Sequence, residues 1–112
     1  MESGKYAFDA DDVLYSKLRP YLRKAALPDF AGLCSADIYP LKTDLTRLLP
    51  SYLRILLVSD DFNRFANEAS ARSRMPKLNR EQLFGYEFVL PSLERQRRIA
   101  IRLKAQLAEV ET

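Results

Sequence analysis

The segment of this 112-residue chain that most constrains its fold is a junction near the C-terminus. An apolar, strand-like run at 88–90 is closed by Pro91. Ser92 is suited to cap a following helix, and Glu94 lies favourably in the positively charged first turn of that helix. Further residues recur at alternating steps of four and three: Gln96, Ala100, Leu103, Leu107 and Val110. This spacing predicts a helix that packs along a partner helix through a coiled-coil-type seam.

Upstream of the junction, aromatic and aliphatic runs predict strands at 13–18, 21–27 and 33–41. Leucines at helical intervals between 45 and 57 predict a helix, with Pro50 suited to a first turn. A second helix is predicted after a cap at 59–61, and Asn79 is predicted to cap a short turn. The run at 86–90 is predicted to return as a strand. These elements predict a mixed α/β domain, with a short twisted β-sheet, packed helices and a projecting C-terminal helix of coiled-coil type.

Composition is compatible with one globular domain and with nucleic-acid binding. Hydrophobic residues make up 47% of the chain, which is enough for a core, and the net charge is +3. A single cysteine excludes an internal disulfide and favours a reducing compartment. The first residues lack the apolar stretch of a signal peptide, and no run approaches the roughly 18 apolar residues of a membrane span. We therefore expect a cytoplasmic protein.

Residues suited to catalysis are scarce. The chain has no histidine, the commonest general base and metal ligand. Cys34 is therefore predicted to be a buried structural residue. Asp9, Asp11 and Asp12 lack the glycine and distal glutamate of a calcium loop, so they are predicted to form a solvated turn. The carboxylates at 60 and 61 fit helix caps better than a catalytic pair. We predict a non-catalytic chain that holds no metal or cofactor.

Basic residues are concentrated in the polar loop at 71–79 and just after it. The candidate DNA contacts in this group are Arg72, Arg74, Lys77, Asn79 and Arg80. The planar guanidinium of arginine can donate two hydrogen bonds to a guanine edge or a phosphate, and asparagine can pair with adenine. Pro76 stiffens the loop, which lowers the ordering cost of entering a groove. The alternative is a solvated surface loop.

Two further basic groups flank the domain. One lies on or beside the first strands and comprises Lys17, Arg19, Arg23 and Lys24. These residues are predicted to contact phosphates, and the alternative is a charged sheet edge that prevents aggregation. The other group lies on the C-terminal helix and comprises Arg95, Arg97, Arg98, Arg102 and Lys104. Because the seam of that helix is apolar, this group is predicted to be solvated or to pair with acidic residues of a partner helix.

The junction resembles that of specificity subunits of type I restriction–modification systems, where a target recognition domain passes into a spacer helix. The chain keeps six residues of the family pattern: Leu90, Pro91, Leu93, Glu94, Gln96 and Ile99. Ser92 and Arg95 stand where that pattern has proline and glutamate. Three more segments are similar to family landmarks in the same order, at 12–22, 32–37 and 75–79.

The resemblance implies a sequence-specific, non-catalytic DNA-recognition module. Residues 1–91 would be part of a target recognition domain, and residues 92–112 the start of the spacer or dimerisation helix. The implied partners are double-stranded DNA, methyltransferase subunits that use S-adenosylmethionine, and ATP-driven translocase subunits. In the family a substantial N-terminal half precedes the landmark at 12–22. The alternative is therefore a truncated or split fragment that pairs through its helix, by self-association or with a second spacer helix, without binding DNA alone.

Overall fold

The computed structural model describes residues 5–18, 20, 23–71 and 77–111. Two small antiparallel sheets form its β-structure. Strands β1 (Lys5–Phe8) and β4 (Gly32–Ser35) pair with each other, whereas β2 (Val13–Ser16) lies between β3 (Ala25–Ala26) and β5 (Ile38–Leu41). The helices follow in chain order: α1 (Pro50–Leu57), α2 (Asp60–Ser70), α3 (Arg80–Phe84) and α4 (Leu93–Glu111). The predicted mixed α/β class is confirmed.

The core lies between one face of the three-stranded sheet and the first three helices. Val13 and Tyr15 alternate inward from β2, as the period of a strand requires, and Tyr15 pairs with Tyr39 of β5. Phe62 of α2 is 1% exposed, and its ring meets that of Tyr15 edge-on at 5.6 Å. Leu57, Ala66, Leu78 and Leu83 complete the cluster. This arrangement fixes the position of α3 against the sheet.

The predicted caps are confirmed, and of the helix predicted between 45 and 57, residues 50–57 are helical. Pro50 is the first residue of α1, and the hydroxyl of Ser59 accepts from the amide of Phe62 at 3.2 Å. Asn79 forms a capping box with Gln82, in which each side chain accepts from the other residue's amide. The hydroxyl of Ser92 accepts from the amide of Arg95 at 3.2 Å at the start of α4.

Two of the predicted strands are wrong. The single strand at 33–41 is two strands in different sheets, because a turn intervenes in which the hydroxyl of Ser35 accepts from the amide of Asp37. Residues 86–90 are irregular, and the described strands offer them no partner. Strand preference depends on a neighbouring strand, so an aromatic run alone does not form one. Strand β1 was not predicted. Of the strand expected at 21–27, residues 23–27 are described, and within them only Ala25–Ala26 form a strand, β3.

In the acidic turn before β2, Asp9 and Asp11 are exposed as predicted, whereas Asp12 is buried. Asp12 is 4% exposed and accepts from the amide of Asp9 at 2.8 Å. Its carboxylate also accepts from Lys42 Nζ at 3.0 Å and 3.1 Å. Hydrogen bonds to Asp9 and then to Asp12 raise the pKa of Lys42. The turn is therefore tied to the end of β5. Cys34 is half-buried rather than buried, and burial raises the pKa of its thiol.

Candidate nucleic-acid interface

A single bridge brings two of the predicted basic groups together. Leu18, just after β2, pairs antiparallel with Lys77, just before α3. The amide of Leu78 donates to the carbonyl of Lys17 at 2.9 Å, and the hydroxyl of Tyr39 donates to the carbonyl of Leu78 at 3.1 Å. Residues some sixty positions apart in sequence thus lie side by side on the surface.

Two cations lie over the ring of Tyr39, which is 7% exposed. Lys17 Nζ is 5.4 Å from the ring centroid, and Arg80 Cζ is 5.9 Å from it. These distances are those of cation–π contacts. Burial raises the pKa of the Tyr39 phenol, and the charge of Arg80 partly opposes that shift. The ring therefore positions two positive charges, and with exposed Lys77 they form a surface that we call the Tyr39 patch.

The cations of the Tyr39 patch are available to a ligand. In the described segments, ion pairs involve Arg23 with Asp60 and Lys42 with both Asp9 and Asp12. None of the described carboxylates pairs with Lys17, Lys77 or Arg80. Asn79 lies beside them, but its carboxamide oxygen accepts from the amide of Gln82 at 2.8 Å. Its role in the fold is therefore to cap α3.

Other predicted contacts lie elsewhere. Arg23 donates to Asp60 at 2.7 Å, which ties it to the start of α2. Asp60 and Asp61 lie in the first turn of that helix behind the Ser59 cap. Lys24 is exposed and borders the outer face of the three-stranded sheet. Arg19, Arg72 and Arg74 lie outside the described residues, so their predicted contacts stay predictions.

Gln96 was predicted to lie on the seam facing a partner helix, and the structure places it inside the chain instead. It is fully buried, because the first turns of α4 lie against the segment that leads into α1. Its Oε1 accepts from the amide of Leu49 at 2.8 Å, and its Nε2 donates to the carbonyls of Arg47 and Pro91 at 2.8 Å and 2.9 Å. Gln96 therefore anchors α4 to the domain.

The rest of α4 offers an apolar and basic surface. Ala100 and Leu103 are half-buried, and Ile101 is 62% exposed. The helix continues through Leu107 and Val110, the last two predicted seam positions. Arg95, Arg98 and Arg102 lie along one side of it with Ile99. After Gln96, the predicted seam positions whose side chains are described are Ala100 and Leu103, and both are half-buried.

Among the described cysteine, aspartate and glutamate residues, no three or more lie together in a group that could hold a metal. No helix in the described part of the chain is long and apolar enough to cross a membrane.

Comparison with known proteins relates the chain to type I restriction systems. It is 32% identical over 110 residues to the type I restriction enzyme EcoDI specificity subunit of Escherichia coli, covering 98% of this chain and 24% of that subunit. It also matches a chain from a solved type I restriction–modification system, with a TM-score of 0.85 and 25% identity. That match covers 99% of this chain and 30% of the other. No protein-family model matches the chain.

These matches relate the fold to type I restriction–modification systems. Within such systems, the resemblance to the specificity subunit that the junction at 90–99 predicted is confirmed. The chain spans about a quarter of the length of the curated relative that it matches.

Proposed function

We propose that this segment contributes to sequence-specific DNA recognition within a type I specificity subunit, without catalysing a reaction itself. In that role it would help to direct methyltransferase and endonuclease subunits to their target. The observation that supports this proposal is the Tyr39 patch, where the Leu18–Lys77 bridge gathers three cations without carboxylate partners among the described residues. Lysine and arginine side chains arranged in this way bind phosphates and release the counterions of DNA.

Removing the charges of the Tyr39 patch should weaken DNA binding and its dependence on salt. We expect the variant Lys17→Gln, Lys77→Gln, Arg80→Gln to lower the log–log salt slope by about 0.9 for each lost phosphate contact. The measurement is the fluorescence anisotropy of a labelled duplex between about 50 and 200 mM salt.

A matched control removes the same charge elsewhere. Arg64, Arg97 and Arg102 are exposed and lie on other surfaces, so their replacement with glutamine should leave the slope nearly unchanged. Equal slopes for both triple variants would show that binding follows net charge alone. Binding of the parent chain that is insensitive to salt would contradict the proposal.

We propose, as a second function, that α4 is a protein-interaction helix that pairs with another helix of the same kind. Half-buried Ala100 and Leu103 favour this, because they are apolar residues at predicted seam positions, beyond the anchored first turns of α4. The helix could pair with a second copy of the chain or with another spacer helix.

Charges on the seam should abolish self-pairing. We expect Leu103→Lys combined with Leu107→Lys to convert a dimer to a monomer, since two lysines would be buried in an apolar interface. Sedimentation velocity over a range of concentrations measures this, with Arg97→Gln as the control on the same helix. A parent chain that stays monomeric at every concentration would exclude self-pairing.

A further inference from the structure

Phe84 is a large apolar side chain that the fold leaves in water. It is 66% exposed, whereas its neighbour Leu83 is 6% exposed and packs in the core. Leu83 therefore docks α3 on the sheet, and Phe84 adds little to that contact. A lone exposed aromatic is ordinary on a protein surface, so the surroundings of Phe84 matter more than its exposure.

Those surroundings are a shallow recess of about 200 Å³. Its other lining residues come from β1, β5 and α3: Tyr6, Tyr39, Pro40, Leu41 and Arg80. Arg80 and Phe84 are four residues apart on α3, so they project from the same side of the helix. Tyr6 is 40% exposed and extends the aromatic surface. The recess thus has apolar walls and a guanidinium at its edge.

The charge around the recess favours a polyanion over an apolar protein segment. Arg80 belongs to both the recess and the Tyr39 patch, which brings the positive charges of Lys17 and Lys77 to the same area. Glu81 is the exposed carboxylate next to Arg80 on α3, and no ion pair joins it to the patch in the described segments. Duplex DNA offers such a surface both phosphates and, in the major groove, the 5-methyl group of thymine.

We propose that Phe84 is a specificity-determining residue that contacts the 5-methyl group of a thymine in duplex DNA, with Arg80 beside it holding a phosphate or base edge. An apolar side chain distinguishes this methyl group from the polar edges of the other bases. The inference rests on the proposed DNA-recognition function and names one contact within it.

Uracil tests the contact because it pairs like thymine and lacks the methyl group. Duplexes that bind this chain are first selected from a random-sequence library. The thymines of the selected site are then replaced one at a time by uracil. We expect one replacement to weaken binding by about fourfold, the equivalent of ~0.8 kcal/mol for one methyl-sized group. In Phe84→Ala, the same replacement should have no effect.

Val89→Ala is the matched control, because Val89 is apolar, 89% exposed and not among the residues that line the recess. It should keep the parent's response to uracil. If the ratio of the affinities for the thymine and uracil duplexes is the same in Phe84→Ala as in the parent, the inference fails while the proposed function stands. If Phe84→Ala instead changes only self-association, Phe84 belongs to a protein interface. If the parent chain selects no duplex, both the proposed function and this inference fail.

Discussion

Replacing Gln96 with leucine is expected to lower the free energy of unfolding by about 3 kcal/mol, from roughly 1 kcal/mol for each of three backbone groups left without a partner. Leucine is close to glutamine in size, so packing is largely kept. The amide of Leu49 and the carbonyls of Arg47 and Pro91 would lose the hydrogen bonds that Gln96 supplies. Urea denaturation measures the change, and faster hydrogen exchange of the Leu49 amide would localise it.

Two companion variants separate the hydrogen bonds from general effects. Arg97→Gln changes an exposed neighbour of Gln96, and its free energy of unfolding should stay within about 0.5 kcal/mol of that of the parent. Gln96→Glu keeps an acceptor for Leu49 but turns its other oxygen toward two carbonyls, which raises the folded-state pKa of the introduced carboxyl. That variant should be most stable at acidic pH and lose stability as the pH rises through the raised pKa. Parent-like stability of Gln96→Leu would contradict the anchoring role.

Replacing Phe62 with alanine is expected to lower the free energy of unfolding by about 3–5 kcal/mol, the range for truncating a buried phenylalanine. Phe62 is 1% exposed and contacts Tyr15 edge-on at 5.6 Å and Tyr86 edge-on at 4.9 Å. Its loss would open a cavity between α2 and the sheet and also remove these aromatic contacts. Thermal and urea denaturation both measure the effect.

Phe84→Ala is the matched control for Phe62→Ala, since it truncates the same residue type on the surface. Its stability should remain close to that of the parent chain, because Phe84 is 66% exposed. An equal decrease in the free energy of unfolding for the two variants would mean that Phe62 is not central to the core. A stable Phe84→Ala is also the form of the protein that the uracil experiment requires.

Local features of this chain were predictable because each depends on residues within three or four positions. Ser59, Asn79 and Ser92 each cap a helix by accepting from the amide three residues later. Pro50 begins α1 because its missing donor is not needed there. The family resemblance was also available from the sequence, since it depends on the residues and order of the landmarks.

The pairing of distant segments was decided only by the tertiary structure. The run at 33–41 divides between two sheets, and 86–90 forms no strand, because strand formation depends on which neighbours are present. Gln96 occupies a seam position in the heptad pattern, yet the polar backbone near Leu49 makes it an internal anchor. No periodicity indicates that Tyr39 holds Lys17 and Arg80 together. The sequence by itself determined the helix caps, the charges and the family resemblance. The packing of the chain determined which charges meet, because contacts between residues far apart in sequence depend on the whole fold.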